Sequence, residues 1–300
     1  MEASAVSHGA ATIICAFATG RGGALGINLK TKATAELDGS GEITAAIVGQ
    51  PDESTLLLES CARRVLEYFR MDYGVDIRTE SNIPIASGLK SSSTAANAAV
   101  LALSGAIARE HGQVIGRGNS QKLVVKGRTL DHETLIKLGV KAAFDAKVTI
   151  TGAYDDATAS YFGGYTVTDN LRRKIIRRGR IKPLKAVVFV PEGRSYSGKV
   201  DVKRVKTLKK EIGLAWETAK KGDIFTAMTL NGLYHTLLFK QNPEVTLEAL
   251  NAGAVAAGLS GTGPSVVALA RNPKPIVKSW KQFDGSILTA ETNNLRASVL

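Results

Sequence analysis

The sequence predicts an α+β fold divided into two domains. Segments of strand character and of helical character follow one another without the strict strand–helix–strand alternation of a parallel doubly wound sheet. A chain of 300 residues, 44% hydrophobic and 22% charged, is long enough for two ordinary domains with cores of their own. No repeat or low-complexity linker interrupts it, and the basic stretch around Asn170 to Arg180 is the best boundary. The division expected is residues 1–170 and 171–300.

Each element follows from local pattern. Thr12 to Phe17 is apolar and β-branched, hence a strand, and Gly20, Gly22, Gly23 and Gly26 then suggest a glycine-rich loop. Asn28 to Leu37 alternates apolar and polar residues, the period of a strand. Ser54 to Arg70 carries Leu57, Leu58, Cys61, Val65, Leu66 and Phe69 at helical spacing, with Ser54 as N-cap. Val75 and Ile77 mark another strand, and Ala95 to Ala108 and Thr134 to Asp145 read as helices. Gly152 to Gly164 holds an acidic pair and ends in a Gly-Gly turn. Arg172 to Lys182 is densely basic, with Ile175, Ile176 and Ile181 between the charges, as in a solvated strand or hairpin. Lys185 to Val190 reads as a buried strand, Val205 to Lys220 and Ile224 to Leu238 as helices, and Leu259 to Leu269 as a glycine loop entering a strand. Gly118 to Lys126 fits no single pattern.

Composition narrows the functional classes. Cys15 and Cys61 form no CxxC pair and no disulfide framework, which points to a reducing, cytoplasmic setting. The N-terminus lacks a signal-peptide pattern, and the apolar run Ala10 to Ala18 falls short of the roughly 18 residues of a membrane span, so no membrane partner is expected. His8, His111, His132 and His235 show no metal spacing. The formal charge of +12 favours anionic partners without choosing among them.

The sharpest local signal is Pro84-Ile85-Ala86-Ser87-Gly88-Leu89-Lys90-Ser91-Ser92-Ser93-Thr94. A strand ends, Gly88 frees the backbone, and hydroxyl residues open a helix whose first N–H groups have no internal partners. Such a helix start suits an anion, and Lys90 adds a full charge. Four consecutive hydroxyl residues exceed what capping needs.

This segment resembles the phosphate-binding motif of the superfamily of galactokinase, homoserine kinase, mevalonate kinase and phosphomevalonate kinase, with Ala86 and Lys90 in place of two glycines. Gly258-Leu259-Ser260-Gly261-Thr262-Gly263-Pro264-Ser265 resembles the superfamily's C-terminal glycine motif. Asp155-Asp156 through Gly163-Gly164 resembles the segment bearing the catalytic aspartate, and Asp156 takes that place, seven positions before Gly163. Close carboxylates also raise each other's proton affinity, which suits a general base, with Asp155 as the fallback. The family's acidic magnesium ligand lies eleven positions earlier, at Asp145 here. The lysine that mevalonate kinases carry near the N-terminus is absent from His8-Gly9-Ala10, against mevalonate as substrate.

Gly9 to Lys32, Thr149 to Thr158 and Val190 to Arg194 resemble archaeal shikimate kinases, and that resemblance covers most of the chain. It implies an N-terminal ATP-binding domain like domain 2 of ribosomal protein S5, a ferredoxin-like C-terminal domain, and phosphoryl transfer from ATP with Mg2+ to the 3-hydroxyl of shikimate. Pro84 through Thr94 would cradle the triphosphate, and Ser92 and Asp145 would hold magnesium. Arg21, Thr151, Tyr154, Arg194, Gly261, Thr262 and Gly263 would face the substrate, the arginines through its carboxylate. The expected protein is a cytoplasmic monomer or homodimer, with homoserine kinase as the alternative activity.

Two further signals weigh less. Gly193 to Val200 nearly matches a P-loop, but Val200 stands where a magnesium-binding Ser or Thr belongs. The basic run Arg172 to Lys182 suggests nucleic-acid binding as a non-enzymatic alternative, yet it lacks interleaved aromatic residues, so no nucleic-acid partner is expected.

Overall fold

A computed structural model describes residues 1–84, 87–192 and 201–300. The chain opens with β1 (Glu2–Ile14) and β2 (Arg21–Asp38), a long antiparallel pair. Then come β3 (Ile43–Ile47), α1 (Leu56–Phe69), β4 (Gly74–Ser81) and the central helix α2 (Ser91–His111). A small meander of β5 (Gly112–Ile115), β6 (Lys122–Val125) and β7 (Arg128–Thr129) precedes α3 (His132–Asp145) and α4 (Tyr154–Phe162). The hairpin β8 (Tyr165–Asp169) and β9 (Lys174–Gly179) follows. The rest comprises β10 (Lys185–Pro191), α5 (Val202–Val205), α6 (Lys209–Lys221), α7 (Ile224–Leu238), α8 (Glu244–Asn251), β11 (Ala256–Leu259), β12 (Val266–Ala270), α9 (Lys274–Trp280), β13 (Gly285–Glu291) and β14 (Ser298–Val299).

The first sheet runs β14-β1-β2-β4-β3, and β8 extends it beside the first residues of β2, with β9 outside β8. The second sheet runs β11-β12-β10-β13, all antiparallel. With helices between β10 and β11 and between β12 and β13, this half has the β-α-β-β-α-β order of a ferredoxin-like unit. The expected α+β class and two-part architecture are therefore observed.

The helices follow from their residues. In α1, Leu58, Cys61, Ala62, Val65 and Leu66 form one buried stripe, and Arg70 ends the helix in the left-handed conformation. Its cap differs from expectation: Thr55, not Ser54, precedes the helix, and its hydroxyl donates to Glu59 Oε1 at 2.8 Å. Helix α2 is alanine- and leucine-rich on all sides because β1, β2, α1 and α3 surround it.

The glycine-rich stretch Gly20 to Gly26 is not a loop beyond Gly20; Gly22, Gly23 and Gly26 lie within β2. Their missing side chains admit close neighbours: a Cβ at Gly26 would lie 2.9 Å from the Asn293 carbonyl. The basic run forms the expected hairpin, and β9 belongs to the first sheet. A cut after residue 170 would thus split the β8–β9 hairpin, and β14 returns to pair with β1. One core cluster joins the two halves, packing Ile13, Leu25 and Ile27 with Val188, Trp216 and Val267. That shared core brings the start of α2 against the β11–β12 turn.

Candidate active site

Between β4 and α2 the backbone is held by its own side chains. Ser87 Oγ donates to the Pro84 carbonyl at 2.7 Å, and Leu89 is buried in the core. Lys90 has φ 67, a left-handed conformation that glycine adopts most readily. The motif's usual glycine is replaced here, but the backbone shape that favours glycine is kept. Thr94 closes the first turn, its amide and hydroxyl donating to the Lys90 carbonyl at 2.9 and 2.8 Å. The remaining first-turn N–H groups carry the positive end of the helix dipole. Gly88, Lys90, Ser91, Ser92 and Ser93 line a cleft of about 510 Å³.

The β11–β12 turn clasps this loop. Ser260 Oγ donates to the Gly88 carbonyl at 2.8 Å and accepts from the Thr12 amide at 3.1 Å, while the Gly261 amide donates to Thr12 Oγ1 at 2.7 Å. Gly88, at φ 83, must remain glycine for a second reason: a Cβ there would overlap the Ser260 carbonyl. Gly261 and Thr262 line the cleft.

The acidic pair opens α4, and both carboxylates reach the cleft. Asp156 Oδ1 lies 3.1 Å from Lys90 Nζ. The two groups form an ion pair in which both side chains are largely enclosed. Asp155 is buried, and Asn170 Nδ2 donates to its Oδ1 at 2.7 Å. Asn170 Oδ1 accepts from the Asp155 amide at 3.2 Å and from Thr168 Oγ1 at 2.7 Å, which fixes the side chain's orientation. Burial first, and then the Asp156 carboxylate, push Asp155 up to about 7, against the opposing pull of Lys90 and the Asn170 amide. Burial alone would depress Lys90, yet Asp156 and Asp155 outweigh it and the ammonium is held more firmly than usual. The site therefore stores one ammonium against two carboxylates, and the buried Asp155 holds its proton more strongly than an ordinary carboxylate does.

The other predicted residues divide. Thr151 lines the cleft with Asp155 and Asp156. Asp145 is not brought to it: Arg64 binds it from α1 with two parallel hydrogen bonds of 2.6 and 2.8 Å. Counting eleven positions back from Asp156 ignores the loop after α3, where Lys147, Val148, Thr149 and Ile150 face the cleft instead. Tyr154 is wholly buried, its hydroxyl turned to Glu133 at 3.5 Å. Arg21 lies outside the lining, its guanidinium 4.8 Å from the centre of the Trp216 ring. Pro84, Ser87, Leu89, Thr94 and Gly263 shape the loops without lining the cleft. Ile85, Ala86, Arg194 and the P-loop-like segment 193–200 lie outside the described residues.

Two residues of the site carry no motif in the sequence: Asn170, and Gly22, whose absent side chain makes room for the Asp155 carboxylate. Nor does a motif mark Cys15 or the apolar wall of Ile47, Leu57, Leu58 and Val148. The basic run gave a signal of a different kind. Arg177 Nε donates to Tyr165 Oη at 3.1 Å and Arg178 stacks 4.5 Å over Phe162, so both serve the packing of the hairpin.

Comparison with known proteins identifies the family of the chain. The family model of the GHMP kinases N terminal domain matches residues 56–164, and that of the GHMP kinases C terminal domain matches residues 203–283. A shikimate kinase of Methanothermobacter thermautotrophicus is 39% identical, covering 98% of this chain and 96% of its own. A shikimate kinase of Methanothrix thermoacetophila is 40% identical over 99% and 96% of the two chains, and one of Pyrococcus furiosus 36% over 94% and 96%. Among solved structures, homoserine kinase of Cytophaga hutchinsonii superposes with a TM-score of 0.72 at 14% identity, covering 100% and 97%. Mevalonate kinase of Methanococcus jannaschii gives 0.69 at 18%, covering 98% of each chain. With both domain models matched and relatives of 36–40% identity over nearly the whole length, the chain belongs to the GHMP kinase family, among the archaeal shikimate kinases.

Proposed function

We propose that the protein transfers the terminal phosphoryl group of ATP to the 3-hydroxyl of shikimate, giving shikimate 3-phosphate and ADP. The observation that carries the choice of acceptor is the near full-length similarity to archaeal shikimate kinases. The chemistry is supported by the cleft, where a helix start, a lysine and two carboxylates converge.

The triphosphate lies across Gly88 and Lys90 to Ser93, where backbone N–H groups and hydroxyls meet its charge. The adenine rests on the apolar wall of Ile47, Leu57 and Leu58. Magnesium prefers oxygen ligands and usually keeps phosphates and waters around only one or two protein groups. Among the described residues no cluster of three or more His, Cys, Asp or Glu is placed to cage a metal, which suits an ion that arrives on the nucleotide. Ser92, exposed at the second position of α2, would hold it there, whereas Asp145 is tied to Arg64. When bound, magnesium neutralises the charge that develops on the phosphate oxygens.

Asp156 accepts the proton of the attacking hydroxyl, and Asp155 with Asn170 sets the first turn of α4 beneath it. The geometry supplies mainly positioning and charge, as phosphoryl transfer requires. Thr151, Gly261 and Thr262 face the acceptor, and an arginine suits its carboxylate, the role the sequence resemblance implies for Arg194. We place the enzyme in the cytoplasm, a reading supported by two buried free cysteines. Among the described residues no helix is long and apolar enough to cross a membrane.

An ADP-release assay across shikimate, homoserine, mevalonate and galactose tests the acceptor. Turnover should be greatest with shikimate. Equal or faster turnover with homoserine would reject the assignment.

A further inference from the structure

We propose that Lys90 is a catalytic residue whose ammonium group passes from Asp156 to the transferring phosphoryl group, rather than a fixed part of the phosphate cradle. This rests on the reading of the cleft as a kinase site.

The position is a costly one to fill with lysine. A left-handed residue with a side chain is strained, and Lys90 occupies that conformation at φ 67. Its side chain is also only 8% exposed, although a lysine serving only to attract phosphate needs no burial. What encloses it is specific. Nζ meets Asp156 Oδ1 at 3.1 Å on one side. On the other lies Gly261, where an added Cβ would come within 3.0 Å of Nζ. The β11–β12 turn thus leaves a glycine-sized space for the ammonium, at the point where the helix start faces the base. Lys147, the other cation among the described lining residues, belongs to the loop after α3.

The ion pair places the ammonium directly beside the carboxylate that serves as base. Before attack, the ammonium sits against the Asp156 carboxylate that is to take the proton. In the reaction the bond from the terminal phosphorus to the bridging oxygen breaks, and its electron pair leaves with ADP. The bond from phosphorus to the acceptor oxygen forms, and the acceptor's proton passes to Asp156. Lys90 keeps its own proton throughout. Once Asp156 is neutral its hold on the ammonium falls, just as negative charge gathers on the phosphoryl oxygens. One cation thereby serves first the base and then the transferred group.

The test uses the full chain with Lys90→Gly and Lys90→Arg. Lys90→Gly installs the residue that the left-handed position favours, so the fold is retained while the charge is lost. Turnover, binding of a non-hydrolysable ATP analogue by calorimetry, and rescue by methylammonium or ethylammonium are measured. We expect kcat to fall about 10²–10³-fold, analogue affinity to fall less than about tenfold, and small amines to restore part of the lost rate saturably without affecting the wild type. A loss carried by analogue affinity with kcat intact, or a loss no amine relieves, overturns the proposal. A second measurement holds even where a variant does not fold. In the wild type, the Lys90 15Nζ resonance, assigned by its absence in Lys90→Arg, should shift when analogue and acceptor are both added, and an unmoved signal counts against the idea. Should the wild type prefer an acceptor other than shikimate, the acceptor assignment falls and Lys90 is judged on that acceptor. Where the wild type turns over shikimate and Lys90→Gly matches it, only the Lys90 proposal falls.

Discussion

Gly22→Ala alters no residue placed in the chemistry, yet it should disable the site. Gly22 has no left-handed strain, so its backbone accepts alanine and the effect is one of space alone. The new methyl group would overlap the Asp155 carboxylate and lie 3.0 Å from its Cβ. Neither side yields cheaply. Gly22 is paired to Thr168 in the sheet, and Asp155 is held by Asn170 at 2.7 Å and by the first turn of α4. Overpacking of this kind costs about 1–3 kcal/mol, and displacing the carboxylate forfeits a charged hydrogen bond of about 1.5–3 kcal/mol. The expected loss is therefore about 2–4 kcal/mol, allowing for partial relief of one term by the other. Urea unfolding measures it as a lower midpoint at unchanged slope, and turnover should fall at least about tenfold as α4 shifts. The double variant Gly22→Ala with Asp155→Ala removes the overlap and should regain much of the midpoint without regaining turnover. Wild-type stability and rate in the single variant, or no recovery in the double, would refute the packing described here.

The remaining predictions concern the charged groups. Asp156→Asn keeps size but cannot accept a proton, so turnover should drop about 10²–10⁴-fold with ATP binding nearly intact; full activity would remove it as the base. Ser92→Ala should lower kcat/KM about tenfold, whereas Asp145→Asn should change turnover less than about twofold and stability by under about 1 kcal/mol, its pair with Arg64 being exposed; the reverse order would return the magnesium site to Asp145. Asp155, pushed up to about 7 in the folded state against an ordinary value of 3.8, binds protons more tightly folded than unfolded. Its contribution to stability is then fully present below pH 3.8 and is lost as pH rises through 7. The urea midpoint of the wild type should therefore fall further between pH 5 and pH 8 than that of Asp155→Asn, and parallel falls would contradict the burial of this carboxylate.

Much of this was legible in the residues, because periodicity reports burial directly. The stripe of α1 and the apolar sides of α2 were plain, as was the switch from strand to hydroxyl-rich helix at Ser91. What failed was anything set by contacts distant in sequence. Glycines in β2 look like a turn when read locally, but Gly22 exists for Asp155 and Gly26 for the Asn293 carbonyl. Asp145 carries the right chemistry at the counted spacing, yet Arg64 claims it from a neighbouring helix. Tyr154 stands next to the acidic pair in sequence, but helical rotation turns it into the core. Asn170 carries no motif at all; only folding brings its amide to Asp155.

The return of β14 to β1 has a consequence for how the chain acquires its structure. Val299 pairs with Ala5, and Gln121 binds Val299 at both amide and carbonyl. The outer edge of the first sheet therefore stays open during synthesis until nearly all of the described chain has left the ribosome. An exposed strand edge is a template for pairing with another chain, and closing it requires a contact of near-maximal sequence separation, the slowest kind to form. Most of the chain is thus made before β1 gains its outer partner at Ala5 and Val6, and chaperones or low expression temperature should raise its soluble yield more than they would for a fold closed by local hairpins.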